Sequence, residues 1–223
     1  MTTKLFIQAI VKYLLGLILV GALLFIPAGT LYYSNGLLFI GLLFIPMFIV
    51  GIILMLKNPK LLERRLNAKE KESEQKEVIL ISGLMFLLGF VISGLNYRFN
   101  WIELPNIVVI IASILFIISY ILYGEVLREN AYLLRTIEVQ KDQKVVDTGL
   151  YGIVRHPMYS TTIILFLMIP LILNSLISFF IFLIYPIIII KRINNEEEVL
   201  ENNLKGYKEY KKKVKYRLIP NIW

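Results

Sequence analysis

The chain has 223 residues, of which 57% are hydrophobic, and it carries a net charge of +8. Soluble domains are usually about half apolar, so this composition indicates a membrane protein. The chain has no cysteine, which excludes disulfides, thiolate catalysis and cysteine metal sites.

The first 123 residues contain four stretches that are long and apolar enough to cross a bilayer, which takes roughly 17 or more mostly apolar residues. They are residues 5–27, 37–56, 78–95 and 107–123. The first stretch is not typical of a signal peptide, because its apolar run is too long and no small-residue cleavage site follows it. We therefore predict four transmembrane helices before residue 124.

A fifth apolar region, residues 159–190, is too long for a single crossing. It is interrupted by Pro170 and by Asn174-Ser175. We interpret it as a tight hairpin of two helices, each somewhat short for a full span. The predicted fold is thus all-α and integral to the membrane, with about six transmembrane helices of which the last two form the hairpin.

The positive charges alternate with these segments. Seven Lys and Arg residues lie in 57–76, five in 128–155 and nine in 191–217, whereas Arg98 is the one that falls in a predicted external loop. This is the positive-inside pattern of a protein with both termini in the cytoplasm. The basic excess therefore indicates topology first, with attraction to anionic lipid as a secondary effect.

The polar residues divide the chain into two parts of one integral domain. Residues 1–123 form a scaffold of four helices with few polar side chains, joined in part by a charged connector, 58–77, that we predict to be a solvated or interfacial helix. Residues 124–223 contain the chemically interesting segments on either side of the hairpin. Because the hairpin returns the chain to the same face, these cytosolic segments are expected to be neighbours.

The only histidine, His156, lies in the first of these segments. Gly149 and Gly152 permit turn conformations there, and Pro157 can start the following helix. Arg155, Tyr151 and Tyr159 add a cation, aromatic surface and hydroxyl groups. An interfacial cap that anchors a helix at headgroup level would explain these local features equally well.

The second segment continues out of the hairpin as a charged helix. Arg192 and Glu196 are spaced i,i+4 and share a helix face, whereas Glu197 and Glu198 are predicted to point elsewhere. An ordinary surface ion pair is the simpler explanation of Arg192 and Glu196. The tail, 204–223, alternates basic and aromatic residues, and we predict an interfacial amphipathic helix followed by an extended end rather than a nucleic-acid site.

Taken in order, these residues resemble the isoprenylcysteine carboxyl methyltransferase family, particularly its prokaryotic members. The order is Tyr151, Arg155-His156-Pro157-Met158-Tyr159, an apolar hairpin, Arg192, Glu196-Glu197, Leu200, Gly206-Tyr207, Tyr210 and Tyr216-Arg217-Leu218-Ile219-Pro220. The run from Arg128 to Gln140 is also similar to that family. No single element is specific, but the ordered set across a hairpin is.

The resemblance implies a prokaryotic integral-membrane methyltransferase that uses S-adenosyl-L-methionine, with S-adenosyl-L-homocysteine as product. Its cytosolic C-terminal helical region would bind the cofactor, and its methyl acceptor would be a lipophilic or lipid-linked molecule. The implied nucleoside side comprises Gln140, Gln143, Lys144, Val145 and Val146. The implied wall around the cofactor comprises Tyr151, His156, Pro157, Met158 and Tyr159.

In the same resemblance, Glu196 holds the ammonium of the cofactor and Arg192 faces the methyl acceptor, which could be a carboxylate. The sequence leaves open whether Arg128, Asn130 and Arg135 join this site. No metal or nucleic-acid partner is implied, and a soluble Rossmann-type methyltransferase is not expected without a Gly-x-Gly-x-x-Gly loop. Two other classes stay open: an NADPH-dependent membrane reductase of the sterol reductase type, and a non-catalytic membrane protein.

Overall fold

The computed structural model describes residues 3–67, 73–130, 132, 139, 140 and 142–223, and the regular structure in these ranges is entirely helical. It therefore confirms the all-α prediction. The helices are α1 (Thr3–Ala28), α2 (Ser34–Lys57), α3 (Pro59–Asn67), α4 (Ser73–Phe99), α5 (Asn106–Glu129), a 3-10 helix (Gly149–Gly152), α6 (Pro157–Ile172), α7 (Leu176–Phe182), α8 (Ile184–Asn203) and α9 (Tyr207–Lys213).

Within the described ranges, five segments are long and apolar enough to cross a membrane, so the protein is an integral membrane protein. Four are α1, α2, α4 and α5, which contain the four predicted stretches, and the fifth is Leu176–Asn203. The apolar helix α6 has 16 residues and is about 24 Å long, less than the roughly 30 Å hydrocarbon core. The sixth predicted span therefore corresponds to α6, which is shorter than the other five.

The hairpin turns at Asn174-Ser175, as predicted. Asn174 adopts a left-handed conformation (φ 56°), and the Ser175 hydroxyl accepts a hydrogen bond from the Ser178 N–H at the start of α7. Pro170, in contrast, lies inside α6 and does not end it. The expectation of two short arms is also wrong for the second arm, because α7 and α8 are interrupted only at Leu183 and together form a segment of 28 residues.

Uncharged polar contacts join three turns at the end of the bundle away from His156. The Tyr33 hydroxyl donates to the Leu173 carbonyl oxygen, and Asn96 Nδ2 donates to the Asn174 carbonyl oxygen at 3.0 Å. The α1–α2 and α4–α5 connections are thereby tied to the hairpin turn. These contacts hold the C-terminal end of α6 against the bundle, and His156 lies at the opposite end of this helix.

The core between these helices is built from aromatic side chains. Phe39, Phe116 and Phe182 are fully buried and belong to one hydrophobic cluster that spans α2, α5 and α7. Gly89 of α4 allows close approach there, because a Cβ atom at this position would lie 2.2 Å from Cε2 of Phe182. The hairpin is therefore held against α4 by tight packing.

The charged connector is helical where it is described, and its residues 68–72 lie outside the described ranges. In α3, Leu61 and Leu62 are buried, and Arg65 donates to the Tyr123 hydroxyl at the end of α5. The Lys12 ammonium donates to the carbonyl oxygen of Leu66. The described part of the connector therefore packs against the bundle. Of the two predicted alternatives, a solvated or an interfacial helix, the structure does not fit the solvated one.

Candidate cofactor cleft

His156 is the N-cap residue of α6, and Pro157 is its first residue, as the sequence predicts. The chain reaches this position beside the C-terminal tail. The N–H of Arg155 donates to the Tyr216 carbonyl oxygen, and the N–H of His156 donates to the Arg217 carbonyl oxygen, each at 2.9 Å. The tail therefore determines how this segment enters α6.

Most of the predicted site residues lie around one cleft at this end of the bundle. The cleft contains about 810 Å³ of empty space, including its opening to solvent. The predicted residues that line it are Gln143, Lys144, Val145, Val146, Tyr151, His156, Met158, Tyr159, Arg192 and Glu196. The structure thus brings together residues from the loop before the 3-10 helix, from α6 and from α8.

Gln140 and Pro157 do not line this cleft but lie next to residues that do. Gln140 Nε2 donates to the Tyr132 carbonyl oxygen at 2.6 Å, and its N–H donates to Gln143 Oε1 at 2.9 Å. Both Tyr132 and Gln143 line the cleft. Pro157 is buried at the start of α6 and presents no surface to the cleft. Its contribution there is the direction of the helix.

Several lining residues were not among the predicted cofactor positions. They are Asn130, Tyr132, Arg155, Leu200, Leu204, Tyr207 and Tyr210. The sequence left open whether Arg128, Asn130 and Arg135 join the site. Asn130 lines the cleft, whereas Arg128 pairs with Glu125 and is largely exposed. Arg135 lies outside the described residues. The heptad-like spacing of Tyr207, Tyr210 and Val214, which are all buried, is the sequence signal that could have identified α9 as a wall.

Arg192 and Glu196 share the face of α8 that lines the cleft, as their spacing predicts. The Tyr159 hydroxyl lies between them: it accepts from Arg192 Nε at 2.8 Å and donates to Glu196 Oε2 at 2.5 Å. The side chain of Glu196 remains 22% exposed toward the cleft. This is not an ordinary surface ion pair, because Tyr159 is buried and fixes both charged groups.

Glu197 points away from the face that Arg192 and Glu196 share, as predicted, and it does not line the cleft. Its side chain is 3% exposed and turned toward the tail. Oε1 accepts from Arg155 Nε at 2.7 Å and lies 3.1 Å from His156 Nε2, and Oε2 accepts from Arg217 Nη2 at 3.0 Å. A step of one residue along α8 rotates the side chain by about 100°, which here leads to a second buried surface instead of solvent.

The same carboxylate attaches the tail to the bundle. Arg155 Nη1 also donates to the carbonyl oxygens of Val214 and Lys215, and the Arg217 guanidinium lies 4.9 Å from the centre of the Trp223 ring. A buried carboxylate is tolerated when several cations contact it. Glu197 is therefore the buried counter-charge that joins α8, the segment before α6 and the tail.

The tail begins with the predicted amphipathic helix, α9, but it does not end extended. Beyond Tyr216 the chain turns back on itself, and the Trp223 carbonyl oxygen accepts from the N–H groups of Arg217 and Leu218 at 2.9 Å. Asn221 supports this turn in the left-handed region (φ 64°). Within α9, Tyr207 and Tyr210 are buried against the cleft, and the Tyr210 hydroxyl donates to the Tyr151 carbonyl oxygen at 2.7 Å.

The Tyr207 hydroxyl is buried and, within the described part of the chain, lacks a hydrogen-bond partner. Burial, and next the negative charges of Glu197 and Glu196, raise the pKa of this hydroxyl well above its ordinary value. It therefore stays protonated at neutral pH. A buried, unsatisfied donor on a cleft wall is costly unless a ligand accepts from it.

Two contacts position the loop that forms the opposite wall. Glu129 Oε2 accepts from the Leu150 N–H at 2.9 Å, and Gly149 has a positive φ of 53° with its Cα against the Glu129 carboxylate. Asp147 pairs with Lys213 of α9 at 2.7 Å, a hydrogen bond that lowers the pKa of Asp147 from its ordinary value. The end of the loop that leads into the 3-10 helix is thus attached to both α5 and α9.

These features define an all-helical integral membrane protein with a polar, tyrosine-lined cleft at one end of its bundle. Residues 107–202 match the model of the isoprenylcysteine carboxyl methyltransferase (ICMT) family. This match confirms the resemblance and identifies the segment from α5 to the end of α8 as an ICMT-family segment.

A second comparison finds a partial relative. A stretch of 93 residues is 30% identical to Delta(14)-sterol reductase TM7SF2 of Mus musculus. The aligned part is 40% of this chain and 22% of the mouse protein. The chain thus spans about a fifth of the length of that relative.

Proposed function

We propose that this protein is a membrane-embedded methyltransferase that uses S-adenosyl-L-methionine and transfers a methyl group to a lipophilic acceptor. The observation that carries the proposal is the Arg192–Tyr159–Glu196 arrangement in the wall of a cleft within an ICMT-family segment. It combines a carboxylate, a guanidinium and a phenol that neither lipid anchoring nor helix capping requires.

The residues of the cleft fit this cofactor group by group. Glu196, partly exposed, would hold the ammonium of its amino-acid end. The apolar side chains of Val145 and Leu200 and the ring of Tyr151 offer surface for adenine, and Tyr207 offers an unused donor. Tyrosine rings can also stabilise a sulfonium by cation–π contact.

When bound, the cofactor supplies a methyl group on an already activated carbon, so positioning accounts for most of the catalytic task. Arg192 would orient an anionic acceptor such as a carboxylate through charge-assisted hydrogen bonds. Tyr159 holds Arg192 in place from α6, and Tyr207 and Tyr210 of the tail form one wall of the cleft. A low local dielectric at the membrane edge would strengthen the Arg192 contact.

The acceptor is proposed to be a lipophilic molecule that enters from the bilayer, because α8 carries Arg192 directly out of an apolar segment. Incubation of the purified protein with radiolabelled cofactor and a lipid extract from its source tests this. We expect label in the lipid fraction. Label confined to water-soluble products would contradict a lipophilic acceptor.

The orientation follows from the charges. We propose that the cleft and both termini lie on the cytoplasmic side of a prokaryotic cell membrane, because the basic segments cluster at this end and Arg98 lies at the other.

An NADPH-dependent reductase is the second candidate, since the partial relative is a sterol reductase. The cleft is poorly suited to a phosphate-rich cofactor. Glu196 contributes a carboxylate to its wall, and the charge of Arg155 is already paired with Glu197. Thermal stabilisation of the detergent-purified protein distinguishes the two: we expect S-adenosyl-L-homocysteine to raise the melting temperature and NADPH to leave it unchanged. The reverse result would favour the reductase.

A further inference from the structure

His156 has two ring nitrogens that face different carboxylates. Nε2 lies 3.1 Å from Glu197 Oε1, and Nδ1 lies 4.0 Å from Glu196 Oε1. The first distance is that of a hydrogen bond and the second is too long for one. The two sides of the ring are therefore not equivalent.

The contact with Glu197 determines which nitrogen of the neutral ring carries the hydrogen. An ionised carboxylate can only accept, so Nε2 must donate, and Nδ1 is left as an acceptor. The ring cannot easily turn, because the side chain of His156 is 4% exposed and the ring stacks on Tyr159 at 5.8 Å. Arg155 and Arg217 hold Glu197 in the ionised form that this requires.

Nδ1 of His156 and Oε1 of Glu196 are then two acceptors that face each other, and no residue in the described part of the chain places a donor between them. Their separation of 4.0 Å lets one nitrogen lie about 2.8 Å from both, which is the length of a charge-assisted hydrogen bond. A primary ammonium, with three hydrogens, could donate to both at once. A tertiary amine or a hydroxyl could not, because each has at most one hydrogen to donate.

We infer that Glu197 is a positioning residue that fixes His156 in the Nε2–H tautomer, so that His156 Nδ1 and Glu196 Oε1 together bind a primary ammonium group. The inference deepens the proposed function and rests on it, since the ammonium would be that of the cofactor. Glu197 itself does not touch the ligand. It acts through the imidazole ring.

The chain has one histidine, which makes the tautomer directly measurable. In protein labelled with 15N-histidine, nitrogen NMR shows the two ring nitrogens of His156 alone. We expect Nε2 to resonate as the protonated nitrogen and Nδ1 as the unprotonated one in the neutral ring. A hydrogen on Nδ1 in the wild-type protein would overturn the inference. This NMR measurement uses the wild-type protein alone and does not depend on the folding of any variant.

A second experiment compares the affinity for S-adenosyl-L-homocysteine with the affinity for its analogue that lacks the amino group. In Glu197→Gln the carboxamide can donate to Nε2, so the tautomer is no longer fixed. We expect the preference for the amino-bearing ligand to fall about tenfold, with the affinity for the analogue nearly unchanged. The control is Glu198→Gln, because Glu198 is the exposed next residue of α8.

An unchanged preference in folded Glu197→Gln would contradict the inference. If Glu197→Gln does not fold, two variants of His156 replace it. The side-chain oxygen of asparagine can act as an acceptor in place of Nδ1. His156→Asn should therefore retain more of the preference for the amino-bearing ligand than His156→Phe. Equal losses in these two would count against an acceptor role for Nδ1. Failure of the wild type to bind S-adenosyl-L-homocysteine, with the Nε2–H tautomer present, would instead overturn the proposed function and the identity of the ammonium ligand.

Discussion

Two neighbouring glutamates of α8 perform different tasks. Glu196 opens into the cleft and has one oxygen that no hydrogen bond from the described residues occupies, whereas Glu197 is buried among Arg155, His156 and Arg217. Their sequence spacing cannot distinguish these tasks, because the partners of Glu197 come from other parts of the chain. Substitution of Glu196 and substitution of Glu197 should therefore have different consequences.

Glu196→Gln should weaken the binding of S-adenosyl-L-homocysteine by about tenfold or more, because the ammonium loses its charged partner. The melting temperature should change little, since the side chain is partly exposed and keeps a polar group for the Tyr159 hydroxyl. Titration calorimetry and a thermal melt measure both. Equal affinities for Glu196→Gln, Glu198→Gln and the wild type would favour a protein whose polar residues only anchor helices.

Tyr159→Phe removes the hydroxyl that joins Arg192 to Glu196 while it keeps the ring. We expect a loss of about 1–3 kcal/mol in the free energy of unfolding, because two charged groups lose a buried hydrogen-bond partner. Transfer of the methyl group should fall more than cofactor binding, since Arg192 faces the acceptor in the proposal. A stability and an activity equal to those of the wild type would contradict this arrangement.

At the scale of elements, the hairpin and its neighbours are held by packing that only small residues permit. Gly89 and Gly83 both lie in α4, but a Cβ atom at Gly89 would collide with Phe182, whereas one at Gly83 meets nothing within 4 Å. The two positions are therefore a matched pair for testing the α4–α7 contact.

Gly89→Ala should destabilise the protein by about 1–3 kcal/mol through overpacking. Gly83→Ala should be neutral or slightly stabilising, because alanine favours helix and the position is open. Thermal melts in the same detergent compare the two. Equal melting temperatures for both variants would show that α7 is not packed as described.

The sequence predicts those parts of the structure that depend on local spacing. The apolar stretches predict α1, α2, α4 and α5, and the i,i+4 spacing predicts that Arg192 and Glu196 share a face. What it misses is decided by distant contacts: Glu197 meets Arg155 only when the hairpin forms, and it meets Arg217 only when the tail folds back. Arg155, which stands directly before the apolar helix α6 with no acid close to it in sequence, was the available sign of such a partner.

The second arm of the hairpin shows the difference between an apolar segment and a helix. The apolar pattern of residues 159–190 ends where charges begin, so each apolar arm was predicted to be short, and a charged helix was predicted to follow the second arm. The helix itself continues to Asn203, because α8 passes from apolar surroundings into the polar cleft without a break in its hydrogen bonds. Composition predicts where the apolar segment ends, but the end of a helix depends on its partners.

At the scale of the whole molecule, the charges indicate a single orientation. The chain has no cysteine, so single cysteines can report it without background. Lys60→Cys at the end with the cleft should be protected from a membrane-impermeant maleimide in intact cells, and Glu103→Cys at the other end should be labelled. Both side chains are exposed in the structure, so burial would not explain a difference. Labelling of Lys60→Cys instead would contradict cytoplasmic termini.

The cleft between α6, α8 and α9 is proposed to bind S-adenosyl-L-methionine, and calorimetric titration with S-adenosyl-L-homocysteine tests this binding most directly. The protein is purified in detergent, and a cooperative thermal melt first shows that it is folded. We predict saturable binding of one ligand per chain, which Glu198→Gln retains and Glu196→Gln weakens. Absence of binding at high micromolar ligand in folded wild-type protein would contradict the account.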